Sequence, residues 1–233
     1  METQREKHVT VKLKDISNLK PQSNYVVCKR LYDNIHDTTN GGVIKATDIY
    51  NRDQYIVQNS ERVFEIVSIP DKLEEQIGFW KTDIEIKVGD IAFVQYHESL
   101  NAKVIKTEDE EYRFILYYGI IAVKREDKII PINGYTLFTR VPIEFQTQLI
   151  IPDKAKIPDP RYGIIEYISK PNKYHIKDKK QDSEKGVDIS VGDKVIFIEP
   201  IERSAPILEY PLHRKLDKEY YYCQRHRIGG KFI

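Results

Sequence analysis

Apolar residues along this chain recur mostly at every second position, in short runs closed off by turn residues. That period belongs to strands with one buried face and not to helices. Residues 25–31 (YVVCKRL), 55–57, 63–69, 84–88, 91–96 and 112–123 supply the strands of a first half, and residues 9–13 (VTVKL) an extra strand or strand-forming tail before it. Residues 135–141 (YTLFTRV), 163–169 (GIIEYIS), 189–198 and 219–232 supply those of a second half. A short helix is expected over residues 71–77 (DKLEEQI). Polar and proline-containing stretches punctuate the pattern. Residues 37–42 (DTTNGG) read as a loop, 148–160 as a proline-rich loop, and 170–185 as a charged loop or hairpin. Residues 108–111 (EDEE) read as a solvated acidic hairpin tip.

Two windows of this pattern match. Residues 84–94 read IEIKVGDIAFV and residues 188–198 read DISVGDKVIFI. In each, alternation runs up to Val-Gly-Asp and resumes after it. Gly89 and Gly192 can take positive φ, which lets a strand turn sharply or bulge. Asp90 and Asp193 can accept hydrogen bonds from nearby backbone N–H groups. Val88 and Val191, flanking the glycines, are expected to face the core. Other pieces repeat in the same order: residues 25–30 (YVVCKR) match 135–140 (YTLFTR), and Glu111-Tyr112 matches Glu219-Tyr220. One Val-Gly-Asp arises easily by chance, whereas two in equivalent ordered settings mark a duplicated unit. The expected organisation is an N-terminal strand or arm over 1–24, a first unit over 25–127 and a second over 128–233.

At these residues the chain resembles the chaperonin-10 (GroES) family, in tandem form. In that family a strand leads into a flexible loop holding Gly-Gly and an apolar tripeptide, and a VKVGD-type turn comes later. Gly41, Gly42, Val43 and Ile44 sit at the loop position of the first unit, and residues 86–91 (IKVGDI) match the turn. Leu149, Ile150 and Ile151 sit at the loop position of the second unit, with Val191, Gly192 and Asp193 at its turn. The resemblance implies an all-β fold of two tandem GroES-like irregular β-barrels and assembly into a homo-oligomeric ring. It also implies a co-chaperonin function, in which the loops dock on a GroEL-like chaperonin and cap it. A mobile loop binds weakly because ordering it costs entropy. Each buried apolar anchor returns roughly 1.5–3 kcal/mol, and a ring multiplies the loops. The chain departs from the family at two places. Lys45 stands where a third apolar residue is usual. No Gly-Gly precedes Leu149, and Pro152, Pro158 and Pro160 stiffen the segment after Ile151. Those departures suit an alternative: a structural ring or collar protein of a phage particle, whose loops make fixed contacts with other assembly proteins.

Composition narrows this picture further. A length of 233 residues accommodates two modest domains, each able to close one core. With 37 Lys+Arg against 36 Asp+Glu, the formal net charge is +1. No overall field draws nucleic acid or an anionic membrane to such a chain. No apolar run approaches the length of a membrane span, and the charged N-terminus holds no apolar signal core. The only two cysteines, Cys28 and Cys223, supply no disulfide framework. A reducing cytoplasm is the expected compartment, or a virion under the alternative. Phosphate-binding glycine loops, HExxH and GxSxG are absent from the sequence, so neither an enzyme nor a cofactor is expected. Cys223 and His226, with His213 upstream, fall short of a four-ligand zinc set, so no metal is expected. Strand alternation puts Tyr220 and Tyr222 on one face and Tyr221 on the other, which suits core plus surface better than a nucleic-acid platform. Arg125, Arg140, Arg225 and Arg227 are expected at the surface or an interface.

Overall fold

The computed structural model describes residues 16, 19–31, 62–74, 83–107, 110–142, 158–170, 173–176, 179–182, 188–197, 212 and 216–233. They form an all-β structure of two larger antiparallel sheets and one small hairpin. The first sheet holds β1 (Tyr25–Arg30), β2 (Val63–Ser68), β3 (Ile91–Val94), β4 (Lys103–Lys106), β5 (Glu111–Leu116), β6 (Ile120–Arg125) and β7 (Lys128–Pro131). Its spatial order is β4-β5-β1-β2-β3-β6-β7, and a short helix, α1 (Tyr96–Asn101), joins β3 to β4. The second sheet holds β8 (Tyr135–Pro142), β9 (Pro158–Ile168), β12 (Lys194–Phe197), β13 (Tyr221–Gln224) and β14 (Ile228–Lys231), in the order β13-β8-β9-β12-β14. Between β9 and β12, β10 (Lys173–Ile176) and β11 (Lys179–Asp182) pair as a separate hairpin.

The duplication read from the sequence extends to the topology. The central order β5-β1-β2-β3-β6 of the first sheet is repeated strand for strand by β13-β8-β9-β12-β14. Irregularities repeat as well. The β1–β2 ladder shifts register between Val27 and Cys28, and the β8–β9 ladder shifts between Leu137 and Phe138. A second shift falls between Phe93 and Val94 in one sheet and between Ile196 and Phe197 in the other. A 3-10 turn links β5 to β6 and β13 to β14, at Tyr117–Gly119 and at Arg225–Arg227, which carries the chain from one end of each repeated strand order to the other. Each unit also enters its first strand through a turn of two positive-φ residues, Ser23-Asn24 and Asn133-Gly134. That backbone matches the twist of a tight β-turn, and asparagine and glycine tolerate it best.

Several expectations change. The strand expected over 112–123 is two strands, because the 3-10 turn interrupts its ladder. Residues 84–87 pair in no ladder, and residues 71–74 are not helical. Pro158 and Pro160, expected in a loop, lie in β9, where Val141 and Pro142 of β8 oppose Asp159 and Pro158. Lys128–Pro131, expected to open the second unit, pairs with β6 and so extends the first sheet. Hydrogen bonding among the described residues leaves both sheets open, with β4 and β7 at the ends of one and β13 and β14 at the ends of the other. The coarse all-β expectation therefore holds, and the ladders among the described residues do not by themselves close a barrel.

Each sheet buries one face in its own core. Val26, Cys28, Phe64, Ile66, Ala92 and Val94 belong to the first core. Phe138, Ile165, Val195, Phe197, Tyr221 and Cys223 belong to the second. The two cores are filled differently at equivalent positions. Pairing in the ladders equates Cys28, Phe64, Ala92 and Val94 with Phe138, Gly163, Val195 and Phe197. Where the first unit places one large ring, Phe64, the second has glycine, and the surrounding three residues are larger. A Cβ on Gly163 would lie 2.6 Å from Phe138 Cδ2 and 2.9 Å from Phe197 Cζ, so the absence of a side chain there is a packing requirement.

A third cluster joins the sheets. Phe93 and Ile121 on the outer face of the first sheet pack with Tyr135, Leu137 and Tyr220 of the second unit. Tyr222 lies against the same cluster while Tyr221 points into the second core. The alternation expected for the three tyrosines is therefore realised, with the second sheet's tyrosines forming the wall of a junction.

Candidate functional site

Both Val-Gly-Asp turns have the same geometry. Gly89 has φ +89° and Gly192 φ +93°, the left-handed values that favour glycine. The Asp90 N–H donates to Lys87 O (3.2 Å) and the Lys87 N–H donates to Asp90 Oδ2 (2.8 Å). In the second unit Asp193 N–H donates to Ser190 O (3.1 Å) and Ser190 N–H to Asp193 Oδ2 (2.8 Å). The glycine N–H reaches back to the neighbouring strand in both, at Ile66 O and Ile165 O, 2.8 Å each. These are the aspartate–backbone bonds expected from the sequence. The valines depart from expectation: Val88 is 61% exposed and Val191 65% exposed. Residues at a turn's tip lie beyond the last ladder pair, so strand alternation no longer turns them inward.

The two aspartates differ in what else they hold. Asp90 is buried and accepts both Arg125 Nε (2.8 Å) and Arg125 Nη2 (2.7 Å), a bidentate pair. This bond to Asp90 raises the Arg125 guanidinium further above its ordinary value. Arg125 Nη2 also donates to Glu85 O (3.1 Å). Glu85 N–H donates to Tyr117 Oη (2.9 Å), and Tyr117 Oη donates to Asp83 O (2.9 Å). Glu85 Oε2 accepts the Asn133 N–H (3.0 Å), and the Asn133 amide donates to Tyr117 O (2.8 Å) and Ile120 O (2.9 Å). The first turn is thereby wired to Asn133-Gly134, where the chain enters the second sheet. Among the described residues the cation beside Asp193 is Lys231, at 3.5 Å. The Asn-Gly pair at 133–134 was a legible turn signal in the sequence, and it marks this junction.

The loop candidates Gly41, Gly42, Val43, Ile44, Leu149, Ile150 and Ile151 lie outside the described residues. Their anchor points do not. The first loop leaves β1 and returns in β2, and the second leaves β8 and returns in β9, which are equivalent strands. Each departing strand carries an arginine at the same position. Arg30 Nη1 lies 3.6 Å from Glu111 Oε2. Arg140 stacks 3.8 Å over the Tyr221 ring, whose hydroxyl donates to Glu219 Oε2 (3.2 Å). Glu111, expected in a solvated acidic tip, is buried on a strand among Arg30, Lys106 and Arg113. Burial alone would push its carboxyl up, but Arg113, Arg30 and Lys106 hold it below the usual carboxylate range.

Among the described residues no group of three or more His, Cys, Asp or Glu can hold a metal ion. Cys28 and Cys223 are buried free thiols, and burial pushes Cys223 up to about 12, away from the nucleophilic thiolate. Of the arginines expected at the surface or an interface, Arg125 and Arg140 are partly exposed and make the intrachain contacts given above. Among the described residues no helix is long and apolar enough to cross a membrane. No protein-family model matches the chain, and no curated protein matches it.

Proposed function

We propose that this chain is a non-enzymatic, co-chaperonin-like protein, built from two tandem GroES-like irregular β-barrels and acting as a homo-oligomer. It caps a chaperonin through apolar loop anchors, Val43 and Ile44 in the first unit and Leu149, Ile150 and Ile151 in the second. The observation that carries this reading is positional. Both apolar loop segments connect the same pair of strands in two sheets of identical order, so each unit presents its loop from the equivalent corner. A loop with two or three apolar anchors is a weak ligand, and several presented together gain affinity through effective concentration. The alternative is a structural collar built on the same fold. Pairing of Pro158 and Asp159 with β8 favours it, since it leaves a shorter connection between the paired strands than the first unit has, and a short connection suits a fixed contact.

The test is direct. The protein is mixed with a purified chaperonin and ATP and examined by native electrophoresis and electron microscopy. A capped complex is expected, lost on Ile44→Asp or Ile150→Asp. No complex with wild-type protein overturns the co-chaperonin reading and leaves the collar.

A further inference from the structure

The outer face of each sheet divides into two halves; among the described residues two of the four halves cover each other, and a third is covered only in part. The β8–β13 half of the second sheet, with Tyr135, Leu137 and Tyr222, is covered by the β2–β3–β6 half of the first, with Val63, Phe93 and Ile121. The β1–β5 half of the first sheet, with Val27, Tyr112 and Phe114, is covered in part by Ile16 and Leu19. The remaining half is β9–β12–β14 of the second sheet. It stays apolar but exposed: Ile164 is 39%, Ile196 37% and Phe232 52% exposed. Tyr162 packs beside Phe232 with ring centroids 5.7 Å apart, and the Lys194 ammonium lies 5.8 and 5.5 Å from the two rings.

Strand register shows what such a face takes. In the first sheet Val63 opposes Phe93, and in the second Tyr162 opposes Ile196 at the same place in the repeat. Phe93 is 3% exposed because the second unit sits on it. Ile196 occupies the equivalent position with no described residue covering it. The surface that covers Phe93 is a β8–β13 face, whose counterpart in this fold is the β1–β5 face. There Tyr25, Ile105 and Phe114 remain only half-buried, and Tyr25 and Phe114 correspond to Tyr135 and Tyr222 of the junction.

We propose that the exposed β9–β12–β14 face, centred on Ile196 and Tyr162, binds the β1–β5 face of a second copy of this chain. The contact repeats between chains the packing that joins the two units within one chain. It is heterologous, with a different surface on each side, so it propagates from copy to copy and closes a ring if the rotation permits. It shares with the proposed function only the homo-oligomer and is independent of chaperonin binding.

Sedimentation velocity and mass photometry on the full chain test this. Assemblies larger than a dimer are expected to build up with concentration. Ile196→Asp, at an exposed site, is expected to leave monomers, as is Phe114→Asp on the opposing face. An equimolar mixture of the two variants is expected to give a dimer and nothing larger, since each keeps one intact face. That recovery also shows that both variants are folded. If Phe114→Asp does not fold, Leu19→Asp, which packs on the same face and is partly exposed, takes its place. Monomers of wild-type protein at every concentration overturn the proposal. So does an Ile196→Asp variant that assembles normally, or a Phe114→Asp variant that assembles while Ile196→Asp does not, which indicates a symmetric contact instead. Ile44→Asp and Ile150→Asp are expected to leave assembly unchanged, which separates this result from failure of the chaperonin reading.

Discussion

The two Val-Gly-Asp turns form an internal control for the strength of a buried ion pair. Asp90→Ala removes the bond from Lys87 N–H and both bonds from Arg125, all at 2.8 Å or shorter. Asp193→Ala removes the same backbone bond but only a 3.5 Å contact to Lys231, with side chains 25% and 32% exposed. The backbone bond is common to both and cancels in the comparison. A hydrogen bond to a charged group contributes about 1.5–3 kcal/mol. Removing one partner of a buried pair costs about 3–5 kcal/mol because the other charge is left behind. Arg125 is 29% exposed, so water recovers part of that loss. Asp90→Ala is therefore expected to cost about 3 kcal/mol, near the bottom of the range. The long, partly exposed contact at Asp193 adds little beyond its backbone bond, for a total of about 1 kcal/mol. Urea denaturation at one fixed protein concentration measures both, as shifts in midpoint at unchanged slope. Equal shifts for the two variants refute the argument, since they assign the whole effect to the shared backbone bond.

Two further predictions concern the core and acid stability. Gly163→Ala is expected to destabilise by roughly 1–3 kcal/mol through overpacking against Phe138 and Phe197, read as a lower melting temperature. Transplanting the first unit's set, with Phe138→Cys, Gly163→Phe, Val195→Ala and Phe197→Val together, is expected to recover most stability; a variant that remains unfolded rejects the equivalence of the two cores. Glu111 has a folded pKa below its unfolded value of about 4.3. Its contribution is therefore complete above about pH 4.3 and is lost as the pH falls through the lower folded value. Glu111→Gln is expected to cost roughly 2 kcal/mol at neutral pH and to flatten the stability profile between about pH 4.3 and the acid limit. An unchanged acid slope shows that other carboxylates set it.

Much of this architecture was legible because it is local. Alternation in residues 25–30, 63–68 and 135–141 identifies strands, and positive φ at Gly89 and Gly192 follows from the chemistry of a Val-Gly-Asp turn. Repeating these signals in order revealed a duplicated unit, and the shared strand order bears that out. Alternation states which residues share a face, but not what covers the face. Glu111 looked like part of a solvated tip because its acidic neighbours in sequence are visible, whereas Arg30 and Arg113 reach it only through the β1–β5 pairing. Val88 and Val191 looked buried because they continue an alternating pattern, but they sit in the turn, three residues ahead of the first ladder residues Ile91 and Lys194.

The sequence by itself determined the strand periodicity, the two equivalent turns and the duplication, since each depends on bonds spanning only a few residues. Tertiary structure decided three things that sequence spacing does not encode. It distributed core volume differently in the two units, with Phe64 facing small neighbours and Gly163 facing large ones. It assigned Lys128–Pro131 to the first sheet by pairing it with β6. It covered Phe93 with the second unit and left Ile196, at the equivalent position, exposed. All three depend on which distant surfaces meet, and apolar attraction scales with area, is non-directional and leaves that choice to the whole chain.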